Sequence, residues 1–253
     1  MAFNPKIEDD KKTAKKEYYK LTPGSHTLRI LPPAVVYQTH FFKSQSTSVK
    51  CLGAGCTVCK NNFDLMNQYP NNYKSQKGWH PKSKRYFCNV VDRTLVKTCS
   101  CGKEYPANAQ ICSCGLQLPE AKPRNKPYVL GYGVTLAIDL DAVDDSVRDN
   151  TGSPIGISKY DVTLVVTFDG QDKKVTVIPT QNFEALNLDS PLYDLSDAVI
   201  TLTQQEMVEL LKGTSIKDIF AQRKGSKQQQ GEESKVSDEE LKRLSETINE
   251  LLD

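Results

Sequence analysis

The chain has 253 residues, 38% of them hydrophobic and 25% charged, enough for one large domain or two small ones around a modest core. No apolar run approaches the roughly 18 residues that cross a bilayer, and Met1-Ala2-Phe3-Asn4-Pro5 lacks the apolar stretch of a secretory signal, so neither a membrane span nor export is expected and the compartment expected is the cytoplasm. The net charge of +2 conceals two opposed halves: residues 1–130 carry 21 Lys+Arg against 8 Asp+Glu, and residues 131–253 carry 12 against 23.

Such asymmetry favours a polyanion as partner of the first half and a cationic or self-directed contact for the second. From Met1 to about Lys20 the chain is charged and nearly free of aliphatics. It reads as a mobile basic arm carrying Lys11, Lys12, Lys15 and Lys16. Thr27 to Leu31 alternates in the manner of a strand and is expected to stop at Pro32-Pro33, with a second strand from Ala34 to Phe42.

All eight cysteines fall between positions 51 and 114 in close groups. In a chain with no export signal that clustering favours metal over disulfides. The first group, Cys51-x4-Cys56-x2-Cys59, supplies three thiolates and needs a fourth ligand. His40, His80 and Cys88 compete for the place: His40 ends a strand from which a return could carry it over the knuckle, His80 sits in a basic loop, and Cys88 lies inside an apolar strand, where a lone cysteine is most often a small buried hydrophobe.

A helix is expected from Lys60 to Gln68. Residues 73–93 then interleave cations with aromatics: Tyr73, Lys74, Lys77, Trp79, Lys82, Lys84, Arg85, Tyr86, Phe87 and Arg93. Arg85 to Val91 is a third strand, with Arg85, Phe87, Asn89, Val91 and Arg93 on one face and Tyr86, Cys88 and Val90 on the other. Cations that replace counterions on phosphate, beside aromatic faces on which bases stack, are what a sequence-independent single-strand binder needs. The arginine face is therefore expected toward the nucleic acid, against the alternative that Phe87 and Val91 are core.

Cys99-Ser-Cys101-Gly and Cys112-Ser-Cys114-Gly are near-copies whose cysteine pairs are separated by ten residues. This is the layout of a zinc ribbon, two knuckles whose thiolates converge on one tetrahedral ion, with a glycine after each pair for the tight turn. Beyond it, strands are expected at Val134 to Ile138, Tyr160 to Phe168 and Lys173 to Ile178, the last two joined by a hairpin turn at Asp169-Gly170. Gln204 to Leu211 reads as a helix stopped by Gly213. Arg223 to Lys235 has no apolar residue and reads as a linker. Ser237 and Glu240 form a capping box for a last, acidic helix whose Leu241, Leu244, Ile248 and Leu251 line one face.

Thr27-Leu28-Arg29-Ile30-Leu31-Pro32, then His40-x10-Cys51-x4-Cys56-x2-Cys59, then Lys82-x-Lys84-Arg85-Tyr86-Phe87-Cys88-Asn89-Val90, make the stretch from Thr27 to about Phe183 resemble the zinc-containing single-stranded-DNA-binding, helix-destabilising proteins of tailed phages, typified by the T-even phages. The resemblance implies an OB-type barrel with an attached zinc subdomain, and it favours His40 as the fourth ligand. It also implies that Phe87 faces the DNA cleft with Lys82, Lys84 and Arg85 beside it. It further implies that the basic arm serves cooperative self-association and that the acidic C-terminus recruits replication and recombination proteins while competing with DNA. The ribbon at 99–114 is an insertion not expected in the T-even type.

The expectation is thus a mainly β (α+β) chain with a basic arm (1–20) and an OB-type core (21–221). That core includes a zinc subdomain at about 40–80 and a ribbon at about 97–118. A linker (222–236) and an acidic helix (237–253) follow. Two Zn2+ per chain are expected. The expected DNA contacts are Trp79, Lys82, Lys84, Arg85, Phe87 and Arg93. A zinc-containing RNA-binding or transcription-regulating protein is the nearest alternative, because stacking and phosphate contact do not distinguish the sugar. A zinc-dependent enzyme acting on nucleic acid is the more distant one. Against it, the chain has three histidines, no His-Glu-x-x-His, no deaminase-type His-x-Glu with Pro-Cys-x-x-Cys and no phosphate-cradling Gly-x4-Gly-Lys.

Overall fold

The structure, a computed structural model, describes residues 16–170, 172–180, 182–186, 188 and 190–223. Lys11, Lys12 and Lys15 of the arm, residues 224–236 of the expected linker and the expected helix with Leu241, Leu244, Ile248 and Leu251 lie outside the described residues. The described chain is mainly β, with antiparallel sheets and a few helices, and divides into two compact units. One comprises residues 16–39 and 83–200, the other residues 40–82 and 201–223.

The first unit is built on an open sheet of strand order β7-β3-β1-β8-β9, from β1 (Gly24–Phe42), β3 (Lys82–Asp92), β7 (Lys126–Tyr132), β8 (Val162–Asp169) and β9 (Asp172–Pro179). Among the described residues no sheet closes on itself, so the barrel implied by the resemblance is not carried by this topology. Alternation places Leu28 and Ile30 of β1, Cys88 and Val90 of β3, Leu130 and Tyr132 of β7 and Leu164 of β8 in one buried cluster. Leu136, Ala137 and Leu140 of α2 (Val134–Ser146) join that cluster.

Four expectations change here. The prolines do not divide the first strand: β1 runs through Pro32 and Pro33, which are both exposed, so their missing N–H groups leave no buried partner unpaired. Val134 to Ile138 is helix, not strand. Five residues suggested a strand, but Leu136, Leu140 and Val143 continue at helical spacing and pack on the cluster. The arm ends before Lys20, because Tyr19 N–H donates to the Val129 carbonyl and Val129 N–H donates to the Glu17 carbonyl, each at 2.9 Å. Arg223 is not linker: residues 216–223 are helical, and its guanidinium pairs with Glu206. The β8–β9 hairpin is observed as expected, with Asp169 opposite Asp172 and Gly170 at φ +62°.

The opposite face of the sheet is covered by residues 193–199. Tyr37 and Val129 form a second cluster with Leu195, Ala198 and Val199, and Phe87 packs on it. The Asn89 amide serves this segment as a strand would, donating to the Tyr193 carbonyl and accepting from Tyr193 N–H, both at 3.0 Å. Below this face Asp161, fully buried, accepts from Arg29 Nε at 2.6 Å, Arg93 Nε at 3.2 Å and Asn182 Nδ2 at 2.7 Å.

In the second unit β2 (Thr47–Lys50) pairs with β1, and α1 (Thr57–Gln68) and α3 (Gln204–Leu211) follow. Helix α3 starts at a capping box, Thr203 Oγ1 accepting from Glu206 N–H while the Glu206 carboxylate accepts from Thr203 N–H. Gly213 at φ +104° allows the left-handed turn after it. Gln204 Oε1 accepts from Thr57 Oγ1 at 2.7 Å, tying α3 to the start of α1.

Candidate functional site

One candidate metal centre lies in the second unit. His40 enters from the buried end of β1, and β2 returns the chain to Cys51. Gly53 and Gly55, at φ +75° and +80°, make the tight loop to Cys56. Cys56 then caps α1 and accepts Lys60 N–H, which places Cys59 in the first helical turn. His40 Nε2 is 3.3 Å from Cys59 Sγ and 3.6 Å from Cys56 Sγ, and Cys51 Sγ is 3.6 Å from Cys59 Sγ. The four ligand atoms lie within 4.8 Å of one another. Thiolates around a tetrahedral ion at about 2.3 Å stand about 3.8 Å apart, so the set can hold one metal ion.

The remaining histidine nitrogen supports this assignment. His40 Nδ1 lies 3.2 Å from the His80 carbonyl, so Nδ1–H donates there and leaves Nε2 unprotonated toward the sulfurs. Burial holds the imidazole below its ordinary pKa, in the neutral form that ligates. Buried Asn62 fixes the acceptor: its Nδ2 donates to the His80 carbonyl at 2.6 Å and its Oδ1 accepts His80 N–H at 3.1 Å. The two rivals stand elsewhere. The His80 ring stacks on Phe42 at 4.0 Å, and Cys88 is core of the first unit, its thiol pushed up to about 12 by burial.

The other candidate centre belongs to the first unit, carried by a small sheet of order β5-β4-β6, from β4 (Leu95–Thr98), β5 (Glu104–Pro106) and β6 (Lys122–Pro123). Its knuckles repeat one backbone pattern. Cys99 N–H donates to the Lys103 carbonyl and Gly102 N–H to the Cys99 carbonyl; Cys112 N–H donates to the Leu116 carbonyl and Gly115 N–H to the Cys112 carbonyl. Gly102 and Gly115 sit at φ +82° and +84°, which explains the glycine after each pair. Cys99 and Cys114 sulfurs are 3.6 Å apart, Cys101 and Cys112 3.5 Å, and all four lie within 4.8 Å, so this set also can hold a metal ion. Cys112 Sγ lies 3.3 Å from the Tyr105 hydroxyl.

The expected DNA contacts divide. Lys84 and Arg85 are exposed, Phe87 is half-buried with its ring edge-on to Tyr37 at 5.9 Å and over Gly131, and Tyr86 stacks on Tyr132. In the second unit Lys82 is exposed, and Trp79 is half-buried, edge-on to Tyr73 at 4.7 Å. Arg93 is a correction. It is 3% exposed and committed to Asp161, Glu184 and Asn125, so it has no donor directed to solvent phosphate. Its face of β3 turns inward beyond Phe87, with Asn89 and Val91 buried. Lys16, expected in self-association, pairs with Asp197.

Sequence reasoning missed Asn62, the role of Asn89 in holding Tyr193 and the Arg29–Asp161–Arg93 group. Only Arg29, a cation inside the apolar run Leu28-Arg29-Ile30, gave a sign. Among the described residues no helix is long and apolar enough to cross a membrane. A scan of family models finds no match, and a search of curated proteins finds none either.

Proposed function

We propose that this chain is a non-enzymatic, zinc-containing single-stranded-DNA-binding protein that coats strands exposed in replication, recombination and repair. The observation that carries the reading is on β3: exposed Lys84 and Arg85 run directly into Tyr86 and Phe87, which are both half-buried. Cation and aromatic face next to one another suit phosphate neutralisation with base stacking. Lys82 and Trp79 of the second unit offer the same chemistry.

Zinc is the metal this reading assigns to both centres, because a three-thiolate, one-imidazole set and a four-thiolate set suit that ion. Each set offers four protein ligands, which leaves no open position for water, so both ions are structural. His40, Cys51, Cys56 and Cys59 would hold one; Cys99, Cys101, Cys112 and Cys114 would hold the other. The acidic residues 232–253, with 8 Asp+Glu against 3 Lys+Arg, serve replication and recombination partners in this reading, and the basic N-terminus serves self-association on DNA.

Competition of poly(dT), poly(U) and duplex DNA for the purified protein tests the reading. Preferential retention of poly(dT), weakening steeply with salt, is the expected result. Preference for duplex or poly(U), or turnover abolished by chelation, would overturn it.

A further inference from the structure

We propose that the ribbon is an oxidation site, at which a peroxide converts the four thiolates of Cys99, Cys101, Cys112 and Cys114 to two disulfides and expels the metal, while the centre at His40 stays reduced. The inference rests on the assignment of zinc to both sets. Their surroundings differ in the property that governs thiolate oxidation, access to solvent. At the first centre His40, Cys51 and Cys56 are buried and Cys59 is half-buried; in the ribbon Cys101 and Cys114 are exposed, and only Cys99 and Cys112 are buried.

The sulfurs of the ribbon are within reach of one another. Cys114 and Cys112 sulfurs are 3.0 Å apart, Cys101 and Cys112 3.5 Å, and Cys99 and Cys114 3.6 Å, so each exposed cysteine has the sulfur of a buried one within 3.6 Å. The exposed thiolate meets the oxidant first, and its buried partner is already in place to resolve the product.

For each pair, one thiolate takes an oxygen atom from hydrogen peroxide to give a sulfenic acid, the O–O bond breaks, and the remaining hydroxide takes a proton to leave as water. The partner thiolate then attacks the sulfenic sulfur, forming the S–S bond, and the displaced hydroxide takes a second proton. Two thiolates, one peroxide and two protons thus become one disulfide and two waters. Loss of two thiolates opens the metal's coordination, and loss of four releases it.

Little else would retain the ion. Apart from Cys99 and Cys112, the ribbon's core is Leu118 with Tyr105 and Ala109 packed on it. By contrast, the Cys56 and Cys59 sulfurs sit at the start of α1 beside the Asn62–His80 clamp.

The experiment treats the full-length, zinc-loaded protein with increasing hydrogen peroxide and follows release with a chromophoric chelator. Disulfides are then mapped by mass spectrometry without reduction. One of two zinc equivalents should be released while Cys51, Cys56 and Cys59 still alkylate, with two disulfides found among Cys99, Cys101, Cys112 and Cys114. Dithiothreitol with added zinc should restore the second equivalent. Simultaneous loss from both centres, or a ribbon that stays reduced and loaded, would overturn the oxidation site and leave the zinc reading intact. Starting material with fewer than two zinc ions would overturn the zinc reading itself.

Discussion

His40 Nδ1 and the backbone carbonyl of His80 lie 3.2 Å apart, and that one contact decides which ring nitrogen faces the sulfurs of Cys56 and Cys59. The acceptor is a backbone atom, so the His80 side chain has no part in it. Asn62 does, because its amide holds the His80 peptide from both sides. His40→Ala should remove the metal of this centre and lower thermal stability. His80→Ala should keep two ions per chain, and Asn62→Ala should weaken retention about 10–100-fold, the usual cost of losing an outer partner of a ligating histidine. Metal content and chelator competition on the three variants check this ordering.

Lys84→Ala and Arg85→Ala should each weaken oligo(dT) binding and lower the salt slope by about one phosphate. Phe87→Ala should cost about 1–3 kcal/mol if a base stacks on the ring. Gly131→Ala gives an independent probe, because a Cβ there would sit 2.8 Å from Phe87 Cε1 and force the ring aside. It should reduce binding without removing any DNA-contacting atom. Fluorescence titrations at several salt concentrations, on variants shown to be folded by circular dichroism, measure both effects; unchanged affinity in Phe87→Ala would make the ring core alone.

What could be read beforehand, and what could not, follows from the range of each interaction. Both cysteine sets were legible because their ligands are clustered and the knuckle glycines announce the turns, now seen at Gly102 and Gly115. The β8–β9 hairpin was legible for the same local reason. Helix α2 was misread because its first five residues suit either structure, and only the later Leu140 and Val143 reveal the period. Arg93 was misassigned because alternation orders the residues of a strand by face but does not say which face is covered. Its partner Asp161 lies 68 residues away, and the covering segment at 193–199 carries no signal in the spacing of β3.

The Arg29–Asp161–Arg93 group should behave as structure. Asp161 is fully buried and both guanidinium groups are 2% exposed, so truncating the carboxylate leaves the buried Arg29 cation without its ion-pair partner and Arg93 with Glu184 alone. Asp161→Ala should cost about 3–5 kcal/mol, read as a lowered midpoint in urea denaturation, and Arg93→Ala should be destabilising in the same assay. The salt slope of DNA binding by the folded fraction of Arg93→Ala should remain that of the parent. A reduced slope with unchanged stability would restore Arg93 to the DNA contacts.

Glu206 provides a pH-dependent test of the second unit. The Arg223 guanidinium beside it, opposed by partial burial and aided by Thr203 N–H, holds its carboxyl down to about 2. The folded pKa lies below the unfolded one of about 4.3, so the stabilisation is fully present above the unfolded value and is lost as pH falls from there toward 2. Glu206→Gln removes the charge while keeping an acceptor for Thr203 N–H. At pH 7 this variant should unfold at a lower temperature than the parent, and the difference should shrink as pH falls through that window. Metal loss in acid affects both proteins alike, so the difference between them isolates the Glu206–Arg223 pair. A gap in melting temperature that stays constant down to pH 2 would mean that the pair contributes through packing and not through charge.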